Sequence, residues 1–313
     1  MQFAMTGAAG YVAPRHLKAI KETGNRLVMA LDPSESVGMV GSYFPQAVYF
    51  NSPEEFELCL KRLDDQSKES KIDYVSICSP THLHDAQIRT ALKYGTHAIC
   101  EKPIVVNPSD LEHLEEIENR SGRVIYAILQ LRSHDLLKQL RQELCGSTIS
   151  SRSSVVATYI TGRGLWYRNS WKADEEKSGG LAMNISVHLF DLLIWLFGKV
   201  ERTELHLSTS QRMAGALEME HASVRWYLSI DSDDLPASSR AASQRVFRSI
   251  VVDGSEFTFT NGLDNLHTRV YESILDGHGL RIEDAKPSIE LVHSIRHSTI
   301  SNGHGNRHPI LSF

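Results

Sequence analysis

Apolar and polar positions follow two different rhythms along this chain. Over the first 130 residues, short apolar runs alternate with stretches of helical period. Gln2–Thr6 is the first run. A glycine turn follows, then a helix from about Ala13 with Pro14 in its first turn, where proline is tolerated. Leu27–Leu31 is a second strand and ends at Asp32. Pro53 opens a helix that puts Phe56, Leu60 and Leu63 on one face. Ile72–Cys78, Thr96–Cys100 and Arg123–Leu131 read as further strands. Helices fall at His82–Tyr94, stopped by Gly95, and from Pro108. Strand and helix in turn predict a parallel sheet with helices on both faces.

Past residue 131 the rhythm changes. Ser153–Tyr159, Glu204–Ser210, Ala222–Ile230, Phe247–Val252 and Glu256–Thr260 read as strands with few helices between them. One helix, about Gly180–Phe197, interrupts early, and two more, His267–Leu275 and Asp284–Ser298, come late. Strands in runs predict a mostly antiparallel sheet. The expectation is an α/β domain over 1–131 and an α+β domain over 132–313. No repeat or low-complexity linker separates them, and the tail after Ser301 reads as loop.

Composition narrows the classes. The 313 residues are 41% hydrophobic and 23% charged, as in a globular protein with a full core. A formal charge of −5 disfavours a nucleic-acid partner but permits a locally basic site for an anion. The start lacks the charged n-region and apolar stretch of a secretory signal. The apolar run around Leu189–Gly198, broken by Asp191, is too short to span a bilayer. No membrane partner and a cytoplasmic setting are expected. The cysteines Cys59, Cys78, Cys100 and Cys145 form no C-x-x-C pair and read as reduced thiols. His82/His84 and His293/His297 have metal-like spacing without a matching Cys or carboxylate cluster, so no metal is expected.

The turn "GAAGYVAP" carries chemistry. Gly7, Ala9, Gly10, Tyr11 and Val12 lie between strand and helix, where a dinucleotide needs a tight turn, close backbone approach and a helix N-terminus. The pattern is G-x-x-G-x-x-A, with Ala9 at the usual second glycine. Asp32, 25 residues after Gly7 at the end of the second strand, suits the hydroxyls of an adenosine ribose. A carboxylate there repels a 2′-phosphate, so the expected cofactor is NAD, not NADP. Ligands of an open parallel sheet sit at the carboxyl ends of strands. Ser79-Pro80 and Glu101-Lys102-Pro103 end consecutive strands and should face the same crevice, together with Gln130.

These residues also carry a resemblance. Ser79-Pro80, His84, Ala91, Gly95, His97 and Glu101-Lys102-Pro103, then Gly179-Gly180 and Asn184-x-Ser186-x-His188-x-x-Asp191, resemble the glucose–fructose oxidoreductase/inositol dehydrogenase family. The chain departs from the family's usual D-x-G-x-H at Asn184 and Ser186. "SICSPTHLH", "YITGRGLWY", "NSWK" and "RWYLSID" are similar to one branch of it. That branch oxidises the C3 hydroxyl of UDP-N-acetyl-2-amino-2-deoxy-D-glucuronic acid in the bacterial route to diacetamido uronic acids of O-antigen. The resemblance implies a Rossmann domain, then an α+β domain with a large open sheet, and a homotetramer. It also puts Ser79, Pro80, His82, His84, Glu101, Lys102 and Gln130 near the cofactor.

Oxidation of a secondary alcohol needs an acceptor within about 3 Å of the hydroxyl proton. Lys102 is the first candidate. His188 is the second, with Asn184 four residues earlier on one helical face and Asp191 placed to orient the ring. The segment Thr161–Lys172 carries Arg163, Arg168 and Lys172 without an acid, interleaved with Trp166, Tyr167 and Trp171. A diphosphate and a carboxylate would suit those cations. Asn169, Ser170 and Asn184 offer neutral hydrogen bonds to a sugar. The alternatives are a dehydrogenase of a free sugar or polyol, which the basic aromatic loop disfavours, and a silent NAD-binding protein, which Lys102 with His188 disfavours.

Overall fold

The computed structural model describes residues 1–36, 38–65, 71–146, 152–303 and 305–311. These form two compact units. One is Met1–Gln130 with Asp264–Lys286, and the other is Leu131–Leu263 with Pro287–Phe313. The expected division near residue 131 assigned 264–286 to the second domain. The structure gives that segment to the first.

In the first unit, β1 (Gln2–Thr6), β2 (Arg26–Leu31), β3 (Val48–Phe50), β4 (Tyr74–Ile77), β5 (His97–Cys100) and β6 (Ile125–Ala127) form a sheet in the order β3-β2-β1-β4-β5-β6. Every pair is parallel. The order reverses at β1/β4, the crevice where such sheets bind ligands. The short strand β3, half-exposed, was not legible in the sequence. The returning segment explains the new division. Its helix, Leu266–Leu275, buries Leu266, His267, Val270, Tyr271 and Ile274. Tyr271 stacks on Phe3 at 5.9 Å between ring centroids, in the same core as Leu17 and Ile20 of the Ala13–Glu22 helix. The Ala127 N–H donates to Leu280 O at 2.9 Å, so the segment also covers the edge of the sheet at β6.

In the second unit, β7 (Ser153–Thr161), β8 (Val200–Ser208), β9 (Arg212–Met219), β10 (Ala222–Ser229), β11 (Val246–Val252) and β12 (Ser255–Thr258) run in the order β12-β11-β7-β10-β9-β8. Only β10/β7 is parallel; the other four pairs are antiparallel. Strand β9 was missed because Ala214, Gly215 and Ala216 give it weak strand propensity. Its Gly215 is where Trp226 of β10 lies flat: a Cβ there would stand 2.8 Å from the indole. Trp226 in turn meets Phe190 edge-on at 5.1 Å. The stretch Glu175–Phe197 is long and apolar enough to cross a membrane, which the expectation of a short run missed. However, 83% of its most apolar 18-residue window is buried inside the fold, as in the core helix of a globular unit.

The tail does more than loop. His308 is buried beside Tyr227, with its Nε2 3.2 Å from Thr158 Oγ1 and its Nδ1 accepting from the Ile310 N–H at 3.2 Å. His304 lies outside the described residues. Burial first, and then the nearby Arg225, lower the His308 pKa from 6.5 to about 4. A histidine held neutral in the fold and free to protonate when unfolded stabilises the fold fully above pH 6.5. That contribution is lost as pH falls towards about 4. The expected loss is roughly 3 kcal/mol at about 1.4 kcal/mol per unit. Melting temperature measured from pH 7 to 4 should fall, and His308→Gln should flatten the slope.

Candidate active site

In the first unit the glycine turn has the shape a dinucleotide requires. Gly7 has φ +70°, and a Cβ on it would lie 2.4 Å from Ser79 N, inside contact distance. Gly10 N–H donates to Gly7 O at 3.0 Å and closes the turn. The helix that follows has Pro14 in its first turn, no side-chain cap at Val12 and no acid in that turn, so its positive end is left for an anion. Tyr11 is exposed, with Arg15 over its ring at 5.4 Å. The Ala9 N–H donates to Asp32 Oδ2 at 3.0 Å and the Ser34 N–H to Oδ1 at 2.9 Å. Two backbone bonds thus aim the Asp32 carboxylate and leave lone pairs for ribose hydroxyls. These features fit NAD.

The loops after β4 and β5 are braced together. Ser79 Oγ donates to Gln87 Oε1 at 2.6 Å and Thr6 Oγ1 to the same oxygen at 2.7 Å. His84, expected at the cofactor, is fully buried, with its ring nitrogens 2.9 Å from Ser79 O and 2.8 Å from Pro103 O. Burial outweighs the pull of these two carbonyls and lowers its pKa. The neutral ring therefore donates to one carbonyl and clamps the two loops. Pro80 precedes the short turn Thr81–Leu83, on which His82 is exposed. Lys102 is half-buried, and its peptide bond to Pro103 is cis.

Glu101 differs most from expectation. Its carboxylate is buried inside the unit, with Oε1 2.9 Å from His16 Nε2 and 3.1 Å from His267 Nε2. Its Oε2 accepts the Lys102 N–H at 3.2 Å. Burial opposes ionisation, but the bonds from His16 and His267 outweigh it and hold the carboxyl well below its ordinary range. His16 itself is kept neutral, chiefly by burial. A carboxylate only accepts, so Nε2 carries the proton. Nδ1 then accepts from Tyr271 Oη at 2.8 Å, and Tyr271 Oη accepts from Ser76 Oγ at 2.7 Å. The chain Ser76–Tyr271–His16–Glu101 runs one way and ends beneath Lys102. His16, Glu101 and His267 are metal-ligating residue types brought together, yet His16 and His267 each already hydrogen-bond Glu101. Sequence signals for both histidines existed. His16 shares its face with Ala13 and Ile20, and His267 with Val270 and Ile274, all buried. Gln130 Oε1 is buried and has no partner among the described residues, which suits an amide donor such as a carboxamide.

In the second unit the basic loop is a cation–aromatic cluster. Trp166, half-exposed, lies between Arg163 at 5.9 Å and Lys172 at 5.6 Å, and Lys172 also stands 5.6 Å from the Trp171 ring. Arg163 Nε is buried and has no partner among the described residues. Tyr167 is buried, its hydroxyl has no partner among the described residues, and burial pushes its pKa up to about 12. Ser170 Oγ donates to Tyr167 O at 2.8 Å and caps the following turn, so it shapes the loop. Asn169 is exposed at the end of the Leu165–Arg168 helix. Asn184 is buried on a π turn, Ala182–Ser186, which precedes the α-helix Val187–Phe197 carrying the half-buried His188. The regular helix expected to carry both residues is therefore a π turn followed by an α-helix; such turns recur at functional sites. Asp191, expected to orient His188, takes Arg132 in a bidentate pair, with Nη2 2.6 Å from Oδ1 and Nε 3.2 Å from both oxygens.

Residues 1–128 match the family model described as oxidoreductase family, NAD-binding Rossmann fold, of the GFO/IDH/MocA type. Residues 153–249 match that family's C-terminal alpha/beta domain. The WlbA (WbpB) dehydrogenase from Thermus thermophilus, solved with NAD and alpha-ketoglutarate and again with NAD and UDP-GlcNAcA, is 48% identical. The match covers 99% of this chain and 100% of that one, with a TM-score of 0.95. The chain belongs to this oxidoreductase family. It is an NAD-dependent oxidoreductase. Curated relatives are more distant. The putative oxidoreductase YteT of Bacillus subtilis is 27% identical over 47% of this chain and 38% of its own length. The D-glucoside 3-dehydrogenase of Escherichia coli is 25% identical over 41% and 36%. The chain thus spans well under half the length of these two relatives.

Two outcomes follow for the first unit. Gly7→Ala meets a forbidden contact and a strained φ, each costing about 1–3 kcal/mol. NAD affinity measured by fluorescence quenching should drop at least ~10-fold. Glu101→Gln keeps one acceptor oxygen for the two histidines but removes the charge and sets an amide NH2 against the Lys102 N–H, and should cost about 1.5–3 kcal/mol in urea unfolding.

Proposed function

We propose that this oxidoreductase oxidises the C3 hydroxyl of UDP-N-acetyl-2-amino-2-deoxy-D-glucuronic acid to the 3-keto sugar, on the route to O-antigen diacetamido uronic acids. The observation that carries the reading is the end-to-end likeness, at 48% identity, to a dehydrogenase solved with NAD and UDP-GlcNAcA. The basic loop of the second unit supports it from this chain's own residues, because Arg163, Arg168 and Lys172 suit a ligand with several negative charges. NAD, when bound, accepts the hydride from the sugar carbon. Asp32 holds the ribose by its free lone pairs, and the carboxylate discriminates against a 2′-phosphate. Gly7, Ala9, Gly10, Tyr11 and Val12 present backbone and a helix end to the pyrophosphate. Ser79, Pro80 and Gln130 flank the crevice.

The hydroxyl proton goes to a side chain of the protein. Lys102 takes it in this reading, and His188 serves as second acceptor or relay. Asn184, Asn169 and Ser170 hydrogen-bond the sugar, Trp166, Tyr167 and Trp171 pack against the base, and Arg163 and Lys172 pair the anionic groups. The active protein is a homotetramer in the cytoplasm, with neither nucleic acid nor membrane as partner.

The test is absorbance at 340 nm with NAD and a panel of UDP-GlcNAc, UDP-GlcNAc uronic acid and the free uronic acid. The full substrate should have the highest kcat/KM, and a free sugar or inositol turned over best would replace this reading. Lys102→Ala should cut turnover by ~10²-fold or more, the usual scale of lost acid–base catalysis, and His188→Asn by less. Affinity for NAD should exceed that for NADP.

A further inference from the structure

Within the second unit a cavity of about 460 Å³ opens beside the basic loop. Arg168 of that loop lines it together with Arg296 and His297, which come from the end of the chain's last long helix. Ser208, the last residue of β8, and Thr209 and Ser210 of the β8–β9 turn also line it. The buried face of Tyr167 forms part of an otherwise apolar wall. The single acid in the lining is Glu175, and its Oε2 accepts one bond from Arg296 Nη2 at 2.9 Å. Gly180 makes room for that carboxylate: a Cβ there would stand 2.4 Å from Glu175 Oε1.

These features fit one class of ligand. The cations exceed the acids, so the ligand is an anion. Arg296 has four further N–H donors beyond the one given to Glu175, and Arg168 forms no salt bridge among the described residues. Two planar forks with three neighbouring hydroxyl side chains suit an anion with many oxygens spread over two centres. The volume lies in the range of small-ligand pockets and exceeds what a lone carboxylate fills. The aromatic and apolar wall suits a nucleoside beside the charge.

We propose that this cavity is the diphosphate subsite of the nucleotide sugar, with Arg168 and Arg296 as its clamp and Glu175 as the group that orients Arg296. The inference rests on the proposed substrate class and adds residues from the β8–β9 turn and the last helix to it. Binding of UDP, uridine and 2-oxoglutarate to the NAD-loaded protein, followed by calorimetry, tests it independently of turnover.

UDP should bind, and uridine should bind at least ~10-fold more weakly. Arg296→Ala and Arg168→Ala should each weaken UDP by roughly 10–100-fold, the scale of one charge-assisted contact, while NAD affinity stays within a few-fold as the check on folding. Arg296→Lys should fall between. Glu175→Gln should weaken UDP far less than Arg296→Ala; an equal loss would make the pair a structural strut and overturn the assignment. So would uridine binding as tightly as UDP, no UDP binding to the unmodified protein, or arginine variants that lose 2-oxoglutarate and keep UDP. If UDP binds as described but no UDP-sugar acid is oxidised, the proposed reaction fails and the subsite stands. If the sugar acid is oxidised and the arginine variants bind UDP normally, the subsite fails and the reaction stands.

Discussion

The ligand-facing end of the first unit depends on one buried carboxylate. Removing an ionised group from water costs several kcal/mol unless it is fully bonded. Glu101 meets that condition with three donors from three parts of the chain: His16 of the first helix, His267 of the returning segment and the N–H of Lys102. The segment 264–286 is therefore integral to the unit. Without His267 the carboxylate loses a donor, and without Tyr271 the Nδ1 of His16 loses its partner. Lys102 is joined to Glu101 by a peptide bond, so the same bonds that keep the acid ionised also fix the backbone of the lysine.

Glycine is retained in both units where a polar group must come close. At Gly7 the neighbour is the backbone of Ser79, and at Gly180 it is the Glu175 carboxylate. Both have positive φ, so a side chain would be strained even if the space were found. In each unit the glycine lies next to a charged or polar clamp, the turn aimed at Asp32 in one and the Glu175–Arg296 pair in the other.

What the sequence made legible was local. Runs such as Ile72–Cys78 and turns such as Gly7–Val12 carry their meaning in consecutive residues, and the Glu101-Lys102-Pro103 motif sits at the end of a recognisable strand. The failures were tertiary. Strand β9 has few β-branched residues because Gly215 must admit Trp226 from the neighbouring strand. The return of 264–286 turns on helix packing that no local pattern encodes. Glu101 looked like a crevice residue because its buried partners lie 85 and 166 residues away. Asp191 was legible as a candidate partner of His188, but its pairing with Arg132, 59 residues earlier, was not. Asn184 and His188 were legible as residue types, but the π turn that carries Asn184 was not, because no local pattern in the sequence marks it.

The charges of the two units follow one electrostatic logic. The first offers a single aimed acid, Asp32, to hydroxyl groups, and an open helix end to phosphates. The second offers cations, and at Arg163 and Tyr167 it has buried polar atoms without partners among the described residues. Such atoms cost about 1–3 kcal/mol each when unmade. A ligand that supplies their partners recovers that cost, and one that lacks them does not. Discrimination by this route is steeper than discrimination by shape, because the poorer ligand leaves the protein's own donors unpaired. In a protein of net charge −5, a local excess of arginine and lysine also steers anions towards that loop before contact. For the nucleotide-sugar acid proposed above, attraction at a distance and the unmet bonds at contact would act on the same feature, its negatively charged oxygens.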